Sequence, residues 1–433
     1  MFTIKEFLRS EVKPALGCTE PGAVALAVAR AREELSGTVK SVMVTVSDSI
    51  YKNGVDVSIP GAEGLKGNEV AAALAVRCGH SSYGLEVLRD CTEKHVKEAL
   101  DLIRTNGVKV LPDMERHGVF VEAVLRTDSE EGICRIEGSH TGITRVLLNG
   151  REVFSALPSQ EKTEESKKSR SIPEQVASMK FSELVALVDT MDTEDVDYVM
   201  NGVAMNMAIA DYGFDPANRT GLDIGKMIRK HSGDAFDSDD LTMKIKAYAA
   251  AASGARMAGA PLPVMSSAGS GNHGVTAILP VAVFAAHHNK SREETAKAVA
   301  FSHLATSYIK SRTGKLTPTC GCTIAAGAGA ASALTWLATG DVSKAAQAML
   351  LILGNLVGMI CDGAKDTCAL KVSTGAVEAY HAALLVIDGH TAEPQGLVDE
   401  TIEKTVDNIV QVTSRGMGDL DRAIIEVIAE RFA

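Results

Sequence analysis

The second half of the chain has the hydrophobic periodicity of helices throughout, and this limits the folds that it can adopt. From about residue 174 onward, seven segments have the length and apolar period of helices. Aromatic residues make up only 4% of the sequence, and alanine and glycine replace them. Small side chains favour closely packed helices over an aromatic-rich sheet sandwich. We therefore predict an alanine- and glycine-rich helical domain over residues 174–433.

The first part of the chain has a mixed pattern. Residues 19–36 and two segments between residues 67 and 107 have helical periodicity, and residues 39–51 alternate as a strand does. Several strands follow within residues 108–153, joined by turns, and indicate a small antiparallel sheet. Residues 156–173 are polar and flanked by prolines, as in a linker. The predicted fold class is α+β: a mostly α-helical C-terminal domain, with a smaller α/β, antiparallel-sheet region over residues 1–155.

Charge and hydropathy exclude several classes of partner. The net charge is −11 and no basic block stands out, which argues against nucleic acid and membrane surfaces. No apolar stretch reaches the roughly 20 residues of a spanning helix, and the N-terminus has no signal-peptide pattern. We expect a cytoplasmic protein that acts on a small molecule. In that compartment, clustered cysteines suggest metal binding or catalysis more than disulfides.

Four of the eight cysteines lie in two glycine-rich stretches, "PTCGCTIAAGAGAASA" and "MICDGAKDTCALKVSTGA". Cys320 and Cys322 precede a helix predicted near residue 323, whose dipole stabilises a thiolate. Cys361 and Cys368 flank a turn-rich loop. Three alternatives follow, in order of preference: an iron–sulfur cluster, a structural zinc site and simple packing. Packing suits the remaining cysteines of apolar segments better, namely Cys78, Cys91 and Cys134.

The glycine-rich stretch "MSSAGSGNHGVTAILP" (residues 265–280) precedes another predicted helix. Its backbone amides can face a carboxylate or a phosphate. Asn272 and His273 add chemistry that a plain turn does not need. The letters "SGNHG" also resemble the phosphate loop of pyridoxal-phosphate dehydratases, but those enzymes surround that loop with alternating strands and helices. That cofactor therefore remains an alternative.

Two further features are chemically suggestive. Cys18, in "KPALGCTEPGAVALA", precedes a predicted helix, which makes its thiol a possible base or nucleophile. An inert loop cysteine is an equally good interpretation of that residue alone. Lys310, Arg312 and Lys315 lie just before the cysteines. Such charges are usually solvated, although Arg312 can also pair with a substrate carboxylate.

Taken together, "GCTEPGAVALA", "SSAGSGNHG", "TGKLTPTCGCTIAAGAGA" and "CDGAKDTCALKVSTGA" resemble the L-cysteine desulfidase family, a relative of the iron–sulfur L-serine dehydratase alpha chain. The resemblance extends from residue 13 to about residue 380. It implies an oxygen-sensitive [4Fe–4S] cluster held by Cys322, Cys361 and Cys368. The extra Cys320 departs from the dehydratase pattern and is an alternative to Cys322.

The resemblance also implies the reaction and its machinery. It is an α,β-elimination of L-cysteine to sulfide, pyruvate and ammonia, with Cys18 as the base and His273 as the alternative base. L-Serine is the alternative substrate, although no separate regulatory domain of the dehydratase kind is evident. The expected assembly is a homodimer. A non-catalytic zinc or redox protein is a third interpretation. The residues expected to bind the substrate are Ser266, Ser267, Gly271, Asn272, Arg312 and Lys365.

Overall fold

The computed structural model describes residues 2–156, 170–218, 220–314 and 316–431. Most of the predicted linker, residues 157–169, lies outside this part of the chain, as does Lys315. Two large hydrophobic cores are present, one in the N-terminal region and one among the later helices. The mostly helical α+β architecture predicted from the sequence is confirmed.

The N-terminal part alternates helices with strands. Its elements are α1 (Ile4–Glu11), β1 (Pro14–Leu16), α2 (Thr19–Arg32), β2 (Ser41–Ser47), α3 (Asp48–Gly54), α4 (Asn68–Cys78), α5 (Glu93–Arg104), β3 (Val108–Asp113), β4 (Phe120–Arg126), β5 (Glu131–Glu137), β6 (Ile143–Leu148) and β7 (Arg151–Ser155).

The later part is helical except for one short strand. Its elements are α6 (Ile172–Ser178), α7 (Glu183–Val188), α8 (Thr193–Phe214), α9 (Ile224–Ser232), α10 (Thr242–Met257), β8 (Pro263–Met265), α11 (Gly271–His287), α12 (Arg292–Thr313), α13 (Ala325–Thr339), α14 (Val342–Leu356), α15 (Cys368–Ile387), α16 (Ile402–Gly416) and α17 (Leu420–Glu430).

Six strands form one sheet in the order β3-β2-β4-β5-β6-β7. The β2–β3 pair is parallel, whereas the other pairs are antiparallel. The predicted antiparallel sheet is therefore correct for four of its five strand pairs. The parallel pair follows from the connection, because α3, α4 and α5 lie between β2 and β3 and return the chain to the same edge. Helices α2 and α4 cover the apolar face of the sheet.

Two local predictions for the N-terminal region are wrong. The strand predicted over residues 39–51 ends at Ser47, and α3 begins at Asp48. The Asp48 carboxylate lies in the first turn of α3, where the helix dipole stabilises it. Cys91, predicted to lie in an apolar helix or strand, is half-buried in the loop before α5.

Small residues let the C-terminal helices approach closely, as their composition predicts. A side chain at Gly329 of α13 would come within 2.4 Å of the Thr306 hydroxyl on α12. A side chain at Gly327 would approach the backbone of Gly375 on α15. By length and composition alone α15 could cross a membrane, but it packs against α10, α13 and α14 inside the protein.

Elements near each end of the described chain pack against the other part of the protein. Helix α1 contributes Phe7 and Leu8 to the helical core, and β1 pairs antiparallel with β8. That pairing places Cys18 beside the glycine-rich loop that follows β8. At the other end, α17 packs against α3. These contacts bring residues from distant parts of the sequence to one pocket.

Candidate active site

A cavity of about 80 Å³ lies where the two parts of the chain meet. The side chains around it are mostly polar, ionisable or sulfur-containing, as in a reactive site. Those that carry the argument below are Cys18, Glu20, Asn53, His140, Arg256, Asn272, His273, Lys310, Cys320, Cys322, Cys361, Cys368 and Lys371.

All four cysteines of the two glycine-rich stretches line this cavity. Their loops are joined through the backbone: Cys320 N–H donates to the Met359 carbonyl at 2.8 Å, and Cys361 N–H donates to the Pro318 carbonyl at 2.7 Å. Thr319 and Ile360 form an antiparallel bridge between these bonds. The thiols that lie up to 48 residues apart in the sequence are therefore held together by a fixed backbone.

The four thiols differ in their protonation. Hydrogen bonds from the Cys322 thiol and the Thr323 hydroxyl lower the pKa of Cys320, although burial opposes this change. Donating that bond, together with burial, raises the pKa of Cys322. Burial likewise raises the pKa of Cys361, and that of Cys368 to about 12. Of the four thiols, that of Cys320 therefore loses its proton most readily.

This donor set fits an iron–sulfur cluster better than a single ion. A single zinc ion needs its ligands to converge on one point about 2.3 Å from each sulfur. No three His, Cys, Asp or Glu side chains within the described ranges converge in that way. The ligands of a [4Fe–4S] cluster each bind a different iron, so they are spread around a larger group. Four thiols around one cavity fit that requirement.

Positive charges surround the thiols. Lys310 is buried, with Nζ 3.4 Å from the Thr317 hydroxyl oxygen, and burial lowers its pKa to about 8 although the nearby thiolates oppose the shift. Lys371 pairs with Asp362 at 2.5 Å and donates to the Ile360 carbonyl at 2.9 Å. Such lysines offset the negative charge of thiolates, or of a cluster bound by them.

Cys18 forms a hydrogen-bonded pair with Glu20. The Cys18 thiol donates to Glu20 Oε2 at 2.9 Å, and both residues are buried. Burial and the adjacent carboxylate raise the pKa of Cys18 well above its ordinary value. Burial also opposes ionisation of Glu20, but the charge of His140 and the bonds from Cys18 and Thr19 outweigh it and lower the pKa of Glu20. The resting pair is thus a thiol beside a carboxylate.

The other oxygen of that carboxylate is also held. Asn53 Nδ2 donates to Glu20 Oε1 at 3.0 Å, and His140 Nε2 lies 3.9 Å from the same oxygen. The Asn53 side-chain oxygen in turn lies 3.9 Å from the Cys361 sulfur. Asn53 therefore connects the Cys18–Glu20 pair to the cysteine loops.

His273 presents a neutral imidazole to the cavity. Its Nδ1 lies 3.1 Å from the Ser267 carbonyl, which can only accept, so Nδ1 carries the proton. Burial and the charge of Lys310 lower the pKa of His273 to about 3. Its Nε2 faces Gly321, where a β-carbon would approach within 2.5 Å. The lone pair of Nε2 is therefore directed at the loop between Cys320 and Cys322.

The first turns of four helices line the cavity, namely those of α2, α11, α13 and α15 or the turns leading into them. None of the four N-cap residues makes a side-chain capping bond, but the first amides of α13 and α15 donate to carbonyls of the preceding turn, so the uncapped amides of α11 are among those left for a ligand. Uncapped N-terminal amides together with the helix dipoles favour bound negative charge. The glycine-rich loop enters α11 through Ala268 and Gly269, both at positive φ, and its Gly269 and Ser270 line the cavity. The anion-binding role of this loop stays a prediction.

Arg256 is a second buried cation of the cavity lining. Its side chain extends from α10 between Cys18, Glu20 and His273, all of which respond to its charge. Gly271 leaves room for it, since a β-carbon there would lie 2.4 Å from Arg256 Nε. Nε has no hydrogen-bond partner among the described residues, although the whole residue is only 3% exposed. A buried unpaired guanidinium N–H is costly and is well suited to a carboxylate ligand.

Several residues expected at the site lie outside the cavity lining. Ser266 is held by Lys13, to whose carbonyl its hydroxyl donates at 2.6 Å, and Ser267 contributes only its carbonyl, to His273. The Arg312 guanidinium lies over the Tyr308 ring and donates to the Met179 carbonyl. Lys365 pairs with Asp362 on the far side of the loop. Gly271 acts by leaving space for Arg256, and Asn272 does line the cavity.

Sequence reasoning gave no role to Glu20, Asn53, His140 or Arg256. One signal was available for Arg256, the only charged residue in the apolar run "AYAAAASGARMAG". A lone charge on a buried helix needs a partner or a ligand. Asn53 and His140 carry no comparable pattern, because only the tertiary fold brings them to Glu20.

Comparisons with known proteins show which proteins the chain is similar to. A family described as "Serine dehydratase alpha chain" matches residues 82–426, which include the glycine-rich loop and both cysteine loops but not Cys18. The UPF0597 protein of Kosmotoga olearia is 41% identical over 433 residues, covering 99% of both chains. That of Desulfatibacillum aliphaticivorans is 36% identical, covering 99% of this chain and 98% of its own. That of Clostridioides difficile is 39% identical, covering 98% of both.

Proposed function

Because the chain belongs to the serine dehydratase alpha chain family, we propose that it is an iron–sulfur-dependent lyase that converts L-cysteine to sulfide, pyruvate and ammonia. The matched residues include three of the four sequence motifs, all but "GCTEPGAVALA", and the family is one of iron–sulfur lyases of the serine dehydratase type. The observation that carries the proposal is a single cavity lined by four thiols, the Cys18–Glu20 pair and a buried arginine whose Nε has no partner among the described residues.

We assign the cluster ligands to Cys322, Cys361 and Cys368. The motif resemblance is the ground for Cys322, and Cys320 is the alternative; the Cys320 sulfur accepts a hydrogen bond from the Thr323 hydroxyl at 3.3 Å, which a ligand sulfur can also do. When bound, a cluster with three cysteine ligands supplies one open iron that acts as a Lewis acid toward the substrate. Serine substitution of each cysteine, followed by iron analysis, tests the assignment: Cys320→Ser retains iron, whereas Cys322→Ser loses it.

Binding of the substrate carboxylate is assigned to Arg256 and the first amides of α11. Arg256, Asn272 and the first turn of α11 line the same cavity, and Arg256 Nε lacks a hydrogen-bond partner among the described residues. Binding a carboxylate there would satisfy the buried guanidinium and use the dipole of α11. In this role Arg256 takes the place expected for Arg312 or Lys365.

Removal of the substrate's α-proton is assigned to the Cys18–Glu20 pair. The Cys18 thiol passes its proton to Glu20 Oε2 along the existing hydrogen bond, and the resulting thiolate accepts the substrate's α-proton. Asn53 and His140 hold the other carboxylate oxygen, so Glu20 keeps its orientation while its charge changes. His273 is the alternative base, since its neutral Nε2 carries a free lone pair.

A matched substrate assay tests the proposal. The protein is purified and reconstituted without oxygen, and then given L-cysteine or L-serine in parallel. We expect sulfide and pyruvate in equal amounts from L-cysteine, and loss of turnover after exposure to air. Pyruvate from L-serine alone would establish the second candidate, L-serine dehydratase, which the description of the matched family favours.

The pyridoxal-phosphate alternative has less support. In those enzymes the glycine loop lies among alternating strands and helices, whereas the described residues from 170 onward include only the three-residue strand β8. Cytoplasmic location and a homodimeric assembly complete the proposal, with a small amino acid as the partner rather than nucleic acid or a membrane. The reducing cytoplasm keeps the thiols available for iron.

A further inference from the structure

A fully buried lysine lies directly behind the cysteine loops. The Lys52 side chain, on α3, is only 1% exposed. Its ammonium pairs with Asp421 of α17 at 2.6 Å, and the second Asp421 oxygen accepts a bond from the Ser49 hydroxyl at 2.8 Å. The partners lie 369 residues apart. Because burying a charge is expensive, the fold must hold this pair in a defined geometry.

The same ammonium contacts the second cysteine loop. Lys52 Nζ donates to the Cys361 carbonyl at 2.9 Å. Two residues later the loop passes close to α3, since a β-carbon at Gly363 would lie 2.7 Å from the Lys52 carbonyl oxygen. Gly363 also has φ +98°, which a larger residue rarely adopts. The loop is thus shaped to lie against Lys52.

Three contacts fix the backbone around Cys361. The Cys361 N–H bonds to the Pro318 carbonyl, and Lys371 holds the Ile360 carbonyl. Both of these come from the helical part of the chain. The Lys52 contact alone among the three depends on the N-terminal region, and through Asp421 it depends on the C-terminal helix.

We propose that Lys52, oriented by Asp421, is a positioning residue for Cys361, so that α17 is an integral part of the thiol site. The inference deepens the proposed function and rests on it, because the purpose of fixing Cys361 is to present its sulfur to the cluster. Lys52 touches neither the substrate nor the reacting atoms. A competing explanation is that the pair only anchors α17 to α3.

A double substitution separates the two explanations. Lys52→Met combined with Asp421→Leu replaces the buried pair by apolar side chains of similar size, which keeps α17 docked while removing the donor to Cys361. The matched control is Arg30→Met with Glu34→Leu, which removes a half-buried pair of 2.5 Å remote from the cysteine loops. If the double variant does not fold, Lys52→Gln combined with Asp421→Asn takes its place, because it removes the charged donor to Cys361 and its counter-charge while keeping polar side chains.

The first readout is amide hydrogen exchange in the metal-free protein. We expect exchange across residues 359–363 to rise at least about ten-fold in the double variant, because a hydrogen bond from a charged donor is worth at least that factor. Hydrogen exchange in α17 of the double variant is expected to match that of the wild type. Exchange across residues 359–363 of the control variant should also match the wild type. Unchanged exchange at 359–363 would overturn the proposal, and so would an equal rise in α17, which indicates an anchor only.

The second readout is retention of the reconstituted cluster during incubation with an iron chelator. The double variant is expected to lose its visible absorbance about ten-fold faster than the wild type and the control. Equal rates in all three proteins would contradict the positioning role. If the wild type takes up no cluster, the proposed function fails, whereas the exchange measurement still decides the role of Lys52.

Discussion

A methyl group added at Gly321 tests whether His273 and the cysteine loop are as closely apposed as the structure indicates. The β-carbon of Gly321→Ala would lie 2.5 Å from His273 Nε2 and 3.4 Å from Lys310 Nζ. Ordinary contacts between such atoms are about 3.5 Å, so the overlap with His273 is about 1 Å. The lysine end is flexible and can move. His273 cannot, because it is buried on α11 and bonded to Ser267.

The overlap therefore falls on the site itself. Overpacking of this kind costs about 1–3 kcal/mol of folding stability. A displacement of about 1 Å among groups around the substrate lowers turnover by about 100-fold. We expect the kcat of the reconstituted Gly321→Ala enzyme to be about 100-fold lower than that of the wild type. We also expect the variant to unfold at a lower urea concentration.

The control is Gly358→Ala, in the same connection as the second cysteine loop, where a β-carbon meets no atom within 4 Å among the described residues. It should keep both activity and stability. Full activity and an unchanged urea midpoint for Gly321→Ala would refute the close apposition of His273 to the loop between Cys320 and Cys322.

Two further predictions concern the site, and a third concerns a buried histidine of α12 outside the cavity lining. Cys18→Ser should retain the iron content of the wild type and lose turnover, as judged by iron analysis and sulfide release; loss of iron would instead make Cys18 a ligand. Arg256→Lys should lower kcat/KM by about 10- to 100-fold, since it forfeits hydrogen bonds to a charged partner, and the equivalent change at Arg312 should leave kcat/KM unchanged. Burial lowers the pKa of His303 to about 3, so the unfolded chain alone takes up that proton below its ordinary pKa of about 6.5 and stability falls as the pH decreases. By pH 5 this costs about 2 kcal/mol, which His303→Leu should recover in urea unfolding of the metal-free protein; an equal loss in the variant and the wild type would contradict it.

Patterns local in the sequence were the ones that predicted structure well. Helical periodicity predicted α12, α13 and α15, and alternation predicted β4 and β5, because each depends on neighbouring residues. The two cysteine loops were predicted to act together from their composition. The structure brings all four of their thiols to one cavity.

The rest of the site depends on contacts that no local pattern encodes. Glu20 Oε1 accepts a hydrogen bond from Asn53 and lies 3.9 Å from His140 Nε2, and only the packing of α3 and the sheet against α2 brings these groups together. Arg312 looked suitable for a carboxylate, but the Tyr308 ring and the Met179 carbonyl hold it elsewhere. Parallel pairing of β2 with β3 likewise follows from the long connection between them.

Iron and acid-labile sulfide analysis of the anaerobically reconstituted protein tests the central claim most directly. The claim is that the thiols of two distant loops hold a cluster used for elimination. We predict about four irons and four sulfides per chain in the wild type, and their loss when Cys322, Cys361 and Cys368 are replaced by alanine. A wild-type chain that binds no iron under these conditions, or a triple variant that binds as much as the wild type, would contradict the account.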